Sequence, residues 1–210
     1  EQGIQMKGHP LLWNNEHGSP PWLPHPQAPA AMEKRVRDII GRYGRSFSDN
    51  SRTVAAHAAA WIYEHRALGI QCCLKHFPGH GSSLGDSHVG FVDISDSWSE
   101  SELEPYRLLI DTGHAEAIMV GHLLNRNFDA IYPATLSSTT IGRLLRQDLH
   151  FTGLIISDDM QMKAITDGFG LQAACCRALA AGVDLLIIGN NLVHDPGIFV
   201  KTKEAVLRAV

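Results

Sequence analysis

From residue 49 to the chain end the sequence alternates between helical stretches and short, uninterrupted apolar runs, and this alternation restricts the fold more than any other feature. A helix is predicted over 49–69, capped by Asp49 or Ser51, Ala-rich on one face and stopped by Gly69. An apolar strand over 70–74 ends at Lys75. A second helix is predicted over 99–112, with Glu102 and Glu104 in its early turns, where the helix dipole favours acids. A strand over 117–120 ends at Gly121-His122, and a helix over 138–149 follows, capped by Ser138 or Thr139. A strand over 154–156 ends at Ser157-Asp158-Asp159, with a helical stretch over 160–165 behind it. A helix over 171–181 is closed by Gly182, a strand over 183–188 ends at Gly189-Asn190-Asn191, and a last helix starts near 200. The unit recurs every ~30–45 residues, the spacing of strand–helix–strand units in a parallel sheet. Strands that are apolar throughout, rather than alternating, are those that helices cover.

Each strand is followed at once by a polar cluster: Lys75-His76, His122, Asp158-Asp159 and Asn190-Asn191. In a (β/α)8 barrel these positions converge on the face that carries catalysis. No glycine-rich phosphate loop follows any strand, which disfavours a dinucleotide-binding sheet. A whole barrel takes about 250 residues. With four strong strands and a weak one over 10–13, this 210-residue chain is expected to form an α/β fold of parallel strands, a partial TIM-type barrel. Its N-terminal strands and its closing strand are expected to be missing or replaced. Pro20, Pro21, Pro24, Pro26 and Pro29 set off an irregular segment, 1–33, from the barrel domain, 34–210.

The 44% hydrophobic content is that of an ordinary globular protein, and a net charge of −4 leaves no basic footprint for nucleic acid. No apolar run reaches the ~18 residues of a membrane span. The four cysteines form two adjacent pairs, Cys72-Cys73 and Cys175-Cys176, inside apolar segments and without metal-ligand spacing. They read as buried free thiols of a reducing compartment. The expected location is the cytoplasm, or the periplasm if a leader precedes Glu1; the oligomeric state is not readable.

The chemistry concentrates in residues 75–88, where Lys75, His76, His80, Asp86 and His88 lie on a segment that Pro78, Gly79 and Gly81 keep from being a helix. Asp86 stands two residues from His88 and can fix its tautomer and stabilise its charged form, as an acid/base needs; the plainer alternative is a surface turn beside an exposed histidine. Asp158 or Asp159, at a strand end, can serve as nucleophile, base or metal ligand, or one of them can cap the next helix. Lys75 and His76 either enter the site or face solvent and a loop. His76 and His80 have i, i+4 spacing, but Pro78-Gly79 between them and the absence of a third ligand argue against zinc. Neither a metal nor any other cofactor is expected.

Six segments in order, Gly44-Arg45-Ser46-Phe47, Lys75-His76-Phe77-Pro78-Gly79-His80-Gly81, Asp86-Ser87-His88, Ile118-Met119-Val120-Gly121-His122, Pro133-Ala134-Thr135-Leu136-Ser137 and Ser157-Asp158-Asp159-Met160, resemble the N-terminal catalytic domain of family 3 glycoside hydrolases, in its β-N-acetylhexosaminidase branch. The likeness runs from about residue 39 to 196. It implies that Asp158 is the nucleophile, that His88 held by Asp86 is the acid/base, and that Arg45, Lys75 and His76 hold hydroxyls of the terminal sugar. It also implies a carbohydrate substrate ending in β-N-acetylglucosamine, from cell-wall or chitin saccharides. A histidine in place of the second carboxyl group suits proton transfer near pH 7, since its ordinary pKa is about 6.5. The alternatives are a β-glucosidase or xylosidase on the same scaffold, or an inactive partial barrel or fusion. Residues 7–15, with Pro21-Trp22-Leu23, resemble instead a sugar-lining strand and loop of family 10 xylanases.

Overall fold

A computed structural model describes residues 47–83, 90, 92–190 and 194–209. The Pro-rich segment, the weak strand over 10–13, the xylanase-like stretch and the boundary at 33/34 lie outside the described residues. Within them the alternation expected from sequence is present: α1 (Ser51–Ala67), β1 (Cys73–Phe77), β2 (Val92–Asp93), α2 (Glu104–Asp111), β3 (Ala117–Val120), β4 (Leu123–Leu124), a π-helix (Thr139–Asp148), β5 (Leu154–Asp159), α3 (Lys163–Phe169), α4 (Leu171–Ala181), β6 (Leu185–Ile187) and α5 (Ile198–Ala209). Four strands form one parallel sheet in the order β1-β3-β5-β6, and β2 pairs with β4 in a small parallel pair. This is the strand–helix arrangement of part of a barrel. No helix among the described residues is long and apolar enough to cross a membrane.

The sheet's outer face is set by every second residue. Leu74, Ile118, Val120 and Ile155 are buried against Ala55, Ala58 and Ile62 of α1 and Tyr106 and Leu109 of α2. The i, i+3, i+7 spacing in α1 is one helical face, and its alanines let the helix approach closely. Phe77 meets Tyr106 edge to face at 5.2 Å. Each large side chain fully buried here contributes about 1.5–3 kcal/mol relative to exposure.

Local chemistry corrects several boundaries. Asn50, not Asp49 or Ser51, caps α1: its side chain accepts the Thr53 N–H at 3.0 Å. The helix expected over 99–112 is broken into a single turn at Glu100–Glu102 and then α2. Pro105 has no N–H to donate to the Ser101 carbonyl, and the Ser51 hydroxyl takes that acceptor instead at 2.9 Å. At the 139–148 helix, Ser137 replaces Ser138 or Thr139 as the side-chain cap, its hydroxyl accepting the Thr140 N–H at 3.1 Å. The first strand lies three residues later than its apolar run suggests and carries Lys75 and His76 within it.

The N-terminal ends of the strands are clamped by a polar network. Glu116 accepts the Arg66 guanidinium at 2.6 Å and the Cys72 N–H at 3.3 Å. Arg146 donates to the carbonyls of Phe151 and Gly153 and to Asp184, whose carboxylate also accepts the Ile155 N–H at 2.7 Å. These residues fix the foot of the sheet and leave the opposite end to the polar clusters.

Candidate active site

At the C-terminal end of the sheet β1 and β5 both flank β3, and Gly121 follows directly after β3. A Cβ on Gly121 would stand 3.1 Å from the His76 Cβ, so the missing side chain leaves room for His76 to reach across. The His76 Nε2 lies 3.6 Å from Asp158 Oδ2, with side-chain exposures of 20% and 17%.

A bulge makes this approach available. Lys75 pairs with Met119 and Phe77 with Val120, so His76 is an extra residue opposite β3. Strict alternation would turn Lys75 and His76 to opposite faces; a bulge re-aims a side chain. Here both act on the Asp158 carboxylate. The Lys75–His76 and Phe77–Pro78 peptide bonds are cis.

Asp158 is surrounded so as to stay ionised. Burial alone would push its pKa up, but His76, His122, the Asp159 N–H bonded to its Oδ1 at 2.8 Å, and Lys75 together hold it below the ordinary carboxylate value. Asp159 does not cap the next helix, whose N-cap is Met162 without a side-chain bond. The Asp159 Oδ1 accepts the N–H groups of Gln161 at 3.0 Å and Gly189 at 3.1 Å, tying the turn after β5 to the end of β6. Asn190, expected on the catalytic face, spends its side chain on the Asp195 backbone instead.

His122 is fully buried, its Nδ1 2.9 Å from the Thr135 Oγ1 and its Nε2 2.9 Å from the Asp159 carbonyl oxygen. Sequence marks it only as a polar residue after a strand. Its partners lie 13 and 37 residues away, a separation no local pattern reveals.

The turn leaving His76 is braced from α2's side of the molecule. Glu102 accepts the Gly81 N–H at 3.0 Å and the Ser82 hydroxyl, and Trp98 Nε1 donates to the Pro78 carbonyl at 3.0 Å. Gly79 has φ +125°, and a Cβ there would stand 2.6 Å from the Glu102 carboxylate, so the turn requires glycine. Neither Glu102 nor Trp98 stands out in the sequence as a support for this turn. The His80 ring stands edge-on to His76 at 5.8 Å. No group of three His, Cys, Asp or Glu side chains among the described residues is placed to hold a metal ion.

Of the residues singled out from sequence, the structure brings Lys75, His76 and Asp158 together. Arg45, Asp86 and His88 lie outside the described residues. The four cysteines are free thiols, with Cys72 and Cys175 buried.

An acidic side chain with its pKa held below the ordinary value, at the C-terminal end of parallel strands, occupies the position where catalytic groups of (β/α)-barrel proteins lie. Comparison makes the family explicit. Residues 31–208 match the glycosyl hydrolase family 3 N terminal domain, and the chain belongs to that family. A beta-hexosaminidase of Tolumonas auensis is 36% identical over 167 residues, which are 78% of this chain and 49% of that protein. A beta-hexosaminidase of Xylella fastidiosa is 39% identical over 173 residues, 80% of this chain and 50% of that one. The chain thus spans about half the length of these curated relatives. Among solved structures, a beta-N-acetylhexosaminidase from Beutenbergia cavernae superposes with a TM-score of 0.76 at 27% identity, covering 86% of this chain and 54% of that one. A family 3 beta-N-acetylglucosaminidase from Paenibacillus gives 0.75 at 30% identity, covering 84% and 33%.

Proposed function

We propose that the chain carries the catalytic site of a retaining β-N-acetylhexosaminidase that removes terminal β-N-acetylglucosamine from cell-wall or chitin-derived saccharides. The observation that carries this reading is the ionised Asp158 carboxylate, 3.6 Å from His76 and acted on by Lys75, at the C-terminal strand ends of a family 3 domain. Relatives named beta-hexosaminidase support the choice of sugar.

In this mechanism an Asp158 oxygen attacks the anomeric carbon while the glycosidic C–O bond breaks, and the protonated His88 gives its proton to the leaving oxygen. A water then attacks the anomeric carbon, His88 takes its proton, and the Asp158 carboxylate is released. Asp86 holds the charged imidazole in both steps. Lys75, His76 and Arg45 bind hydroxyls of the sugar. Free thiols fit a cytoplasmic location.

The test compares hydrolysis of aryl β-N-acetylglucosaminide, β-glucoside and β-xyloside. The N-acetylglucosaminide is expected to be fastest, with a glycosyl adduct on the Asp158 peptide in quenched mass spectra. A faster glucoside or xyloside reassigns the substrate. Full activity in Asp158→Ala overturns the nucleophile.

A further inference from the structure

The hydrogen bonds around His122 determine where its protons are. Its Nε2 faces the Asp159 carbonyl, which can only accept, so Nε2 carries a proton. Its Nδ1 faces the Thr135 hydroxyl, which has one proton of its own. That hydroxyl lies 2.8 Å from the Gly121 carbonyl and 3.1 Å from the Val120 carbonyl. Two carbonyl oxygens this close to a hydroxyl oxygen are tolerable only if the O–H points at one of them, since otherwise three oxygens face one another without a proton. The hydroxyl proton is then committed to the backbone of β3. What it offers His122 is a lone pair, so Nδ1 donates as well.

We propose that His122 is a buried imidazolium, donating from both ring nitrogens, and that it is a positioning residue which holds the backbone beside Asp158 and keeps a fixed positive charge near its carboxylate. The protonation state stands on the hydrogen-bond geometry alone; the role rests on Asp158 being the nucleophile. A buried cation needs compensating charge. Among the described residues, Lys75 and His76 from β1 act on the Asp158 carboxylate together with His122, and that carboxylate supplies negative charge to a charged His122. The arrangement separates two tasks. His76 is partly exposed and can meet a sugar, while His122 is fully enclosed. Its Nε2–H bond to the Asp159 carbonyl and the Asp159 N–H bond to Asp158 Oδ1 fix the carboxylate's rotation from the main chain.

Long-range 1H–15N spectra of the 15N-histidine-labelled chain test the protonation state directly. The His122 ring is identified by its loss in His122→Asn, or by through-space contact with the Thr135 methyl if that variant does not fold. Both ring nitrogens are expected to keep imidazolium shifts at pH 7.5, above the ordinary histidine pKa of about 6.5. One unprotonated ring nitrogen at that pH overturns the proposal, whether or not the chain hydrolyses any glycoside. Thr135→Val removes the acceptor but keeps the shape. It is expected to make the ring neutral at pH 7.5 and to lower kcat about tenfold with KM little changed. If the ring stays charged in wild type while kcat is unaffected in Thr135→Val, the charge stands and the positioning role fails. Absence of hydrolysis in wild type removes the glycosidase reading and leaves the spectrum to decide the protonation state.

Discussion

His76 and Asp158 meet 3.6 Å apart across the end of β3, where Gly121, just after the strand, presents no side chain. The contact joins two strands that do not pair with each other. The two side chains together bridge the roughly 9–10 Å that separates strands two places apart in a sheet.

Asp158→Asn keeps the shape of the carboxylate and removes its charge and nucleophilicity. Hydrolysis of an aryl β-N-acetylglucosaminide is expected to fall at least about a thousandfold in kcat. Steady-state rates on the purified variant, with circular dichroism to confirm its fold, check this.

The depressed pKa of Asp158 has a consequence for stability. A carboxyl group whose folded pKa lies below its unfolded value binds fewer protons when folded, so its stabilisation is complete above the unfolded pKa and is lost as pH falls through the folded one. The difference in melting temperature between wild type and Asp158→Asn is expected to be constant from pH 7 to about 5 and to shrink below about 4. A difference that grows on acidification contradicts this.

Burial pushes the thiols of Cys73 and Cys175 up to about 12, and raises Cys72 as well. At pH 8 these thiols are protonated and poor nucleophiles. Iodoacetamide at that pH is expected to leave Cys73 and Cys175 unmodified in the native chain over a period that alkylates all four cysteines in denaturant, as read by peptide mass spectrometry.

Gly153 lies where the chain enters β5. A Cβ there would come within 2.3 Å of the Glu116 carbonyl oxygen and 2.7 Å of the Phe151 ring. The Glu116 carbonyl is held by the Leu154 N–H at 3.0 Å, and Phe151 is tied to Arg146 through its carbonyl. Gly153→Ala is expected to cost about 2–4 kcal/mol in urea unfolding, with little change in KM if the protein is assayed while folded.

Much of this architecture is legible before any coordinates. The alternation of segments and the polar residues closing each apolar run lead to parallel strands with polar side chains gathered at their ends, Lys75, His76 and Asp158 among them. What escapes is non-local or too short to have a period. The apolar run over 70–74 sets the strand's end before Lys75, although pairing with β3 carries the strand on to Phe77. β2 and β4 have two residues each, and no alternation is readable at that length. The π winding of the 139–148 helix leaves no compositional mark. Pro105 is different: it announces the break before α2, and the acidic residues around it mask the signal by suiting a helix start.

The bonds of Glu116 to Arg66 and of Arg146 to Asp184 share no residue with the cluster around Asp158. Robustness and reactivity in this domain are therefore separate properties, set at opposite poles of the same strands. Substitutions around Asp158 leave the bonds at the foot of the strands intact, and a hardened variant can be sought at the foot without touching the residues above it.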